Sequence, residues 1–262
     1  MTGGEEGRRA SHRHELVTFP GAGGAIAATL QIPDGKPRAG VILAHCFTCS
    51  RSLKVTKHFA TGIEDGGYAV LRFDFTGLGE SEGEFADTTV TTNVADLVAA
   101  AHYMRKRGFG PCAMVGHSLG GAATLLAAGD VPDARAVVVI AAPASPDHVR
   151  HLFTDDDVDR ALAAGQATVQ IAGRSFRLSA EFFRDLERHG TPEGIAGLGR
   201  PLLVVHGTAD RVVPIDEGER IFQAARQPRW FCAIPDADHL FVQAKHADAA
   251  GRAIVAFLDT VL

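Results

Sequence analysis

Residues 116–120 read Gly116-His117-Ser118-Leu119-Gly120, directly after the apolar run Cys112-Ala113-Met114-Val115 and just before Ala122-Ala123-Thr124-Leu125-Leu126. A serine set between a strand and a helix must turn sharply. Glycines at 116 and 120 remove side chains that would collide across that turn and leave the hydroxyl exposed. The bare pattern is common, and it is the strand–turn–helix context that points to Ser118 as a nucleophile. A serine hydroxyl needs a base, and the base needs an acid to orient it. Asp210 lies in His206-Gly207-Thr208-Ala209-Asp210, past the run Leu202-Leu203-Val204-Val205. His239 lies in Pro235-Asp236-Ala237-Asp238-His239, past Trp230–Ile234. In a parallel sheet those loops share one edge with the serine turn. The expected roles follow: His239 takes the Ser118 proton and returns it to the leaving group, and Asp210 orients and stabilises the imidazole.

Other residues compete for these roles. His117 occupies the variable position of the serine turn, and His206 ends a strand before a glycine, where a structural hydrogen bond is expected. Asp236 and Asp238 adjoin His239 in sequence and are read as shaping its loop. Asp147, after the preceding strand, is the stronger rival to Asp210, and the turn context favours Asp210. An oxyanion needs donors, expected from the backbone N–H of Leu119 and from the loop His45-Cys46-Phe47-Thr48-Cys49-Ser50, with Phe47 N–H as the candidate. That loop holds a C-x-x-C pair. Zinc would require a second such pair, and haem attachment a histidine at Ser50; neither is present. Cys46 and Cys49 are read chiefly as small buried residues beside the site, with a redox pair as the alternative. The acidic run at Asp155, Asp156, Asp157 and Asp159 lacks the spacing of a calcium loop and is read as solvated surface. No metal site is expected.

The elements that must position these residues alternate. Apolar runs at Val41–Ala44, Tyr68–Phe73, Cys112–Val115, Val137–Ile140, Leu202–Val205 and Trp230–Ile234 are separated by amphipathic stretches, including Ser52–Glu64, the run from Val94 to Met104, and the Ala247–Leu258 region. That order predicts an α/β fold, a mostly parallel central sheet with helices on both faces. Glu15–Phe19 and Ala25–Ile32 lack an intervening helix and are expected to form an antiparallel edge. Residues 144–200 interrupt the rhythm with a hairpin expected around Ala172-Gly173-Arg174 and a helical patch at Ala180–His189. They are read as a small cap insertion.

Together these residues resemble the α/β-hydrolase superfamily over essentially the whole chain after its polar start. Phe73-Asp74-Phe75-Thr76-Gly77-Leu78-Gly79-Glu80 looks like that superfamily's loop after its fourth strand, where the aspartate is structural. With His45–Ser50 it is also similar to hydrolase domains found fused to OsmC-type domains, here expected without the OsmC part. Cysteines at 46 and 49 stand where glycine is usual. The resemblance implies an α/β-hydrolase fold and a carboxylesterase-like serine hydrolase that needs no cofactor. It would cleave a small-molecule ester of small or medium acyl chain through an acyl-enzyme. Thioester, amide and carbon–carbon hydrolysis remain open on the same triad. So does a redox-responsive binding protein using Cys46 and Cys49.

Composition narrows the partners. The 262 residues are 46% hydrophobic and 22% charged, which argues against disorder, collagen-like repeats and coiled coil. The formal charge of -5, without a basic run, argues against nucleic acid. No stretch approaches the length of a membrane span, and the first residues lack the apolar core of a secretory signal. No membrane partner and a cytoplasmic location are therefore expected. Residues 1–13 are read as a disordered polar tail and residues 14–262 as a single domain.

Overall fold

The chain's apolar runs become strands and its amphipathic stretches become helices, as the alternation predicts. In the computed structural model, which describes residues 12–171, 173–189 and 192–262, the chain begins with β1 (Arg13–Pro20), β2 (Ala25–Ile32), β3 (Gly40–Ala44), α1 (Lys54–Asp65) and β4 (Ala69–Phe73). Next come α2 (Val90–Lys106), β5 (Cys112–His117), α3 (Leu119–Ala127), β6 (Ala134–Ile140), α4 (Asp155–Ala164), β7 (Gln166–Ile171) and β8 (Arg174–Ser179). The last elements are α5 (Ala180–Arg188), α6 (Pro192–Ala196), β9 (Leu202–Gly207), α7 (Ile215–Ala224), β10 (Arg229–Ile234) and α8 (Ala244–Val261). The expected polar tail lies outside the described residues except for His12 and Arg13, and Arg13 already opens β1. Ala172, at the tip of the expected hairpin, also lies outside them.

Among the described residues the main sheet has eight strands in the order β1-β2-β4-β3-β5-β6-β9-β10. From β4 to β10 neighbouring strands are parallel. The β1–β2 and β2–β4 pairs are antiparallel, the expected edge. Every residue of β3, β4, β5 and β9 is buried, because helices cover both faces of the sheet. On one face α1 and α8 bury Val55, Phe59 and Ile63 against Ala247, Ala250, Ile254, Phe257 and Leu258. On the other face Leu97, Ala100 and Met104 of α2, Ala123 and Ala127 of α3, and Ile221 of α7 close the core.

The segment between β6 and β9 builds a third apolar cluster. Val158 and Ala161 of α4, Val169 of β7, Leu178 of β8 and Phe182, Phe183 and Leu186 of α5 pack on Leu119 and Ala122 of α3 and on Val90 of α2. The buried Asp185 clamps it to the body: its carboxylate accepts from the Thr91 N–H and hydroxyl, both at 2.8 Å, at the start of α2. A carboxylate there satisfies free donors and faces the positive end of the helix. The acidic run has an equally local reason. Asp155, Asp156 and Asp157 form the first turn of α4, and Thr154 and Asp157 make its capping box.

One backbone approach brings the future site together. A Cβ on Gly120 would lie 2.2 Å from the carbonyl oxygen of His45, so only glycine lets α3 begin against the loop after β3. A Cβ on Gly116 would lie 2.4 Å from the Gly120 oxygen and 2.6 Å from the Gly121 Cα. These obstacles are backbone atoms and cannot rotate away. Gly120→Ala is therefore expected to lower stability by about 1–3 kcal/mol, seen as a reduced urea midpoint. An unchanged midpoint would show that the two loops can separate at no cost.

Candidate functional site

Ser118 sits between β5 and α3 with φ +57° and ψ -129°, a region that L-residues rarely occupy. The turn is held by the Ser118 N–H donating to Ile140 O at 2.9 Å, and by the Gly121 N–H donating back to Ser118 O at 2.8 Å. The loops after β9 and β10 reach the same edge of the sheet. His239 Nε2 lies 3.0 Å from Ser118 Oγ, and His239 Nδ1 lies 2.8 Å from Asp210 Oδ2. All three residues are only 8% exposed. A carboxylate only accepts, so the proton on this ring belongs on Nδ1, and the Nε2 lone pair faces the serine hydroxyl.

Asp210 is held on both oxygens. Its Oδ1 accepts from the Val212 and Val213 N–H groups, each at 2.9 Å, and its Oδ2 faces His239 with His206 Nε2 at 3.6 Å. Burial alone would raise its pKa, but the adjacent His206 imidazole and the hydrogen bonds from His239 and the Val213 N–H hold it well below the usual carboxylate range. The structure does not bring Asp147 to His239. It lies in the turn opened by Ser145, whose hydroxyl accepts the Asp147 N–H at 3.2 Å. Asp238 accepts the Val242 N–H at 2.9 Å, and the Asp236 N–H donates to Thr208 Oγ1 at 2.9 Å, so both aspartates shape the His239 loop.

Three further buried histidines surround this chain of hydrogen bonds, each in a defined tautomer. His206 Nε2 donates to Val213 O at 2.9 Å. His117 Nε2 donates to the His239 carbonyl at 2.8 Å and so holds that residue's backbone. His45 Nδ1 donates to Cys46 O at 2.7 Å, which leaves its Nε2 to accept the Phe75 N–H at 3.3 Å. Sequence reasoning left His45 and His117 without a role, because their partners are backbone atoms of distant loops.

The loop after β3 is anchored farther along by Arg51. Its N–H donates to Asp74 Oδ1 at 2.6 Å, and its guanidinium pairs with Asp74 and Glu80. Nothing in the sequence signals Arg51 as the partner of Asp74. Phe47 and Leu119 line the same cavity as Ser118, and among the described residues neither N–H donates to a protein acceptor. Cys46 and Cys49, read chiefly as small packing residues, are joined in a disulfide, whereas Cys112 and Cys232 are free.

The cavity at Ser118 holds about 50 Å³ and is walled by Phe47, Pro143, Val149, Leu152, Val212 and Val213, with His148 and His151 at its side. A larger, more open groove of about 480 Å³ runs between α1 and α8, but none of Ser118, Asp210 and His239 lines it. Among the described residues no cluster of three or more His, Cys, Asp or Glu side chains could hold a metal ion. No helix there is long and apolar enough to cross a membrane.

A mostly parallel sheet with helices on both faces and a serine on the turn after its central strand is the architecture of an α/β hydrolase. Residues 35–174 match the family described as serine aminopeptidase, S33, and the chain belongs to that family. It is similar to the esterase domain of a Rhodothermus marinus protein, with 38% identity over 93% of this chain and 97% of that one and a TM-score of 0.75. Est1E from Butyrivibrio proteoclasticus, solved with ferulic acid bound, shares the fold at a TM-score of 0.82 and 22% identity, over 94% of this chain and 98% of that one. The Salmonella typhi protein YfhR is 25% identical over 95% of this chain and 82% of its own length.

Burial drives the His117 pKa down from 6.5 to about 3, helped by the neighbouring His239. Unfolding returns it to 6.5, so the unfolded chain takes up the proton first, and stability present above pH 6.5 is lost as pH falls toward 3. His117→Gln keeps an N–H for the His239 carbonyl without the titration. Between pH 7 and pH 5 the variant is expected to lose about 2 kcal/mol less than wild type, read from urea midpoints. Equal losses would mean that His117 is protonated in the folded protein.

Proposed function

We propose that this protein is a serine hydrolase that cleaves a carboxylic ester of small or medium acyl chain through an acyl-enzyme on Ser118. The observation that carries the reading is the unbroken chain of hydrogen bonds from Ser118 Oγ through His239 to Asp210, with Ser118 at the wall of a cavity of about 50 Å³. The similarity to an esterase domain supports it.

In this mechanism the substrate carbonyl enters the cavity with its oxygen toward the N–H groups of Phe47 and Leu119. His239 Nε2 removes the Ser118 proton as Oγ attacks the carbonyl carbon. The ionised Asp210 stabilises the imidazolium, and the two N–H groups stabilise the oxyanion. Collapse of the tetrahedral intermediate breaks the ester C–O bond, and the His239 proton leaves with the alcohol. Water, deprotonated by the same Nε2, then attacks the acyl-enzyme, and the returning proton restores Ser118. The segment between β6 and β9 acts as a cap. It contributes Val149 and Leu152 to the wall of the cavity and limits the size of the acyl group.

A fluorophosphonate probe should label wild type and fail to label Ser118→Ala. The variant should lose about a thousandfold or more in kcat on p-nitrophenyl esters. Asp210→Asn should label slowly and lose roughly 10³–10⁴ in kcat, because the His239 tautomer is no longer enforced. In a series of p-nitrophenyl esters, kcat/KM should peak at short or medium chains. An unlabelled Ser118 in folded wild-type protein would sink the reading. Turnover of thioesters, amides or carbon–carbon substrates in preference to every ester would move the triad to another bond type.

A further inference from the structure

Residues 46–49 form a tight turn closed by the Cys49 N–H donating to Cys46 O at 3.2 Å. Its third residue, Thr48, has φ +58°. A turn with positive φ at that position normally takes glycine or asparagine, and a β-branched residue is among the least suited to it. The disulfide joins Cys46 and Cys49, the first and last residues of this turn, with their Cα atoms 5.4 Å apart. It therefore spans the residue with the unfavourable φ. Arg174 Nη1 also reaches Thr48 O at 3.3 Å from β8.

The peptide between Cys46 and Phe47 is the one that matters for catalysis. In a trans peptide the C=O and N–H point in opposite directions. The Cys46 carbonyl accepts from His45 Nδ1 at 2.7 Å and from the Cys49 N–H at 3.2 Å, so the Phe47 N–H of the same peptide plane is turned away from both. Phe47 lines the Ser118 cavity. Orienting that one peptide plane orients an oxyanion donor.

We infer that the Cys46–Cys49 disulfide is a positioning element of the oxyanion hole, and that the oxidised protein is the catalytically competent form. The inference rests on the serine-hydrolase reading above. Reduction is a two-electron exchange with a dithiol. A thiolate of the reductant attacks Cys49 Sγ, the sulfur of the less buried residue, and displaces Cys46 as a thiolate. The second thiol of the reductant then displaces Cys49. The reductant leaves as its cyclic disulfide, and its two protons end on the Cys46 and Cys49 thiols. The turn then keeps only its hydrogen bonds, and Thr48 is free to leave positive φ. The free cysteines offer little competition: burial pushes the Cys112 thiol up to about 12 and raises that of Cys232.

The test compares oxidised wild type, dithiothreitol-reduced wild type and a C46A/C49A double variant on one p-nitrophenyl ester. Alkylation and mass spectrometry report the thiol state, and circular dichroism reports the fold. Reduction is expected to lower kcat about tenfold or more, within the loss known for a misplaced oxyanion donor, while KM changes less than about twofold. Reoxidation with diamide should restore kcat. The double variant should have the low kcat whether or not dithiothreitol is present. A trifluoromethyl ketone, which forms the tetrahedral adduct, should bind more weakly after reduction, while the product acid binds equally well. Equal kcat in both states, with the thiols shown to be free and Ser118 labelled, overturns the inference alone. So does a loss of ketone and product binding in equal measure, which would report general loosening. An unreactive Ser118 in the oxidised protein overturns the serine-hydrolase reading and this inference with it.

Discussion

The whole site depends on one contact between backbones. The His45 carbonyl lies so close to Gly120 that a single methyl group on α3 would strike it. Because that approach is allowed, the loop after β3 meets the turn after β5. Phe47 and Leu119, from loops more than seventy residues apart in sequence, can then wall one cavity with Ser118. The parallel sheet makes the approach possible, since β3 and β5 are paired neighbours whose ends lie at the same edge. The remaining elements serve this junction. Gly116 and Gly121 give α3 room to turn away, and the Ser118 N–H is tied to the end of β6.

Around the junction, buried polar side chains fix backbone. His45, His117 and His206 each direct one N–H to a carbonyl of a loop that carries or adjoins a site residue. Asp74 and Arg51 tie the loop after β4 to the loop after β3. Buried polar groups of this kind destabilise a core unless they are satisfied, and satisfied they specify one arrangement. The segment between β6 and β9 follows the same plan with Asp185 at the start of α2. Its apolar face covers Leu119 and Ala122, and Val149 belongs both to that cluster and to the wall of the cavity.

The fold was legible because its signals are local. Buried strands such as Val137–Ile140 and Leu202–Val205 are continuous apolar runs, and the α8 positions 247, 250, 254, 257 and 258 all face the core. The candidate site was legible in its residue types, since Ser118, Asp210 and His239 each stand in a loop after a strand and the three loops must share an edge. Choosing between Asp210 and Asp147 was a matter of context in the sequence. In the structure it is a matter of distance, with Asp210 2.8 Å from His239 and Asp147 engaged in its own turn.

By itself the sequence determined the alternation of strands and helices, the sharp turn at Ser118 and the loops that carry the candidate residues Ser118, Asp210 and His239. These depend on spacing along the chain, and spacing is what a sequence records. Only the tertiary structure decided which imidazole tautomer faces which oxygen, which carbonyl His45 and His117 hold, that Arg51 is the partner of Asp74, and that Cys46 and Cys49 are bonded across the turn containing Phe47. Those are questions of angle and distance in the folded chain, and residue order carries no direct record of them. The cysteines show the difference most clearly. Their three-residue separation allowed a redox pair or two small buried residues, and in the folded turn the two are joined in a disulfide.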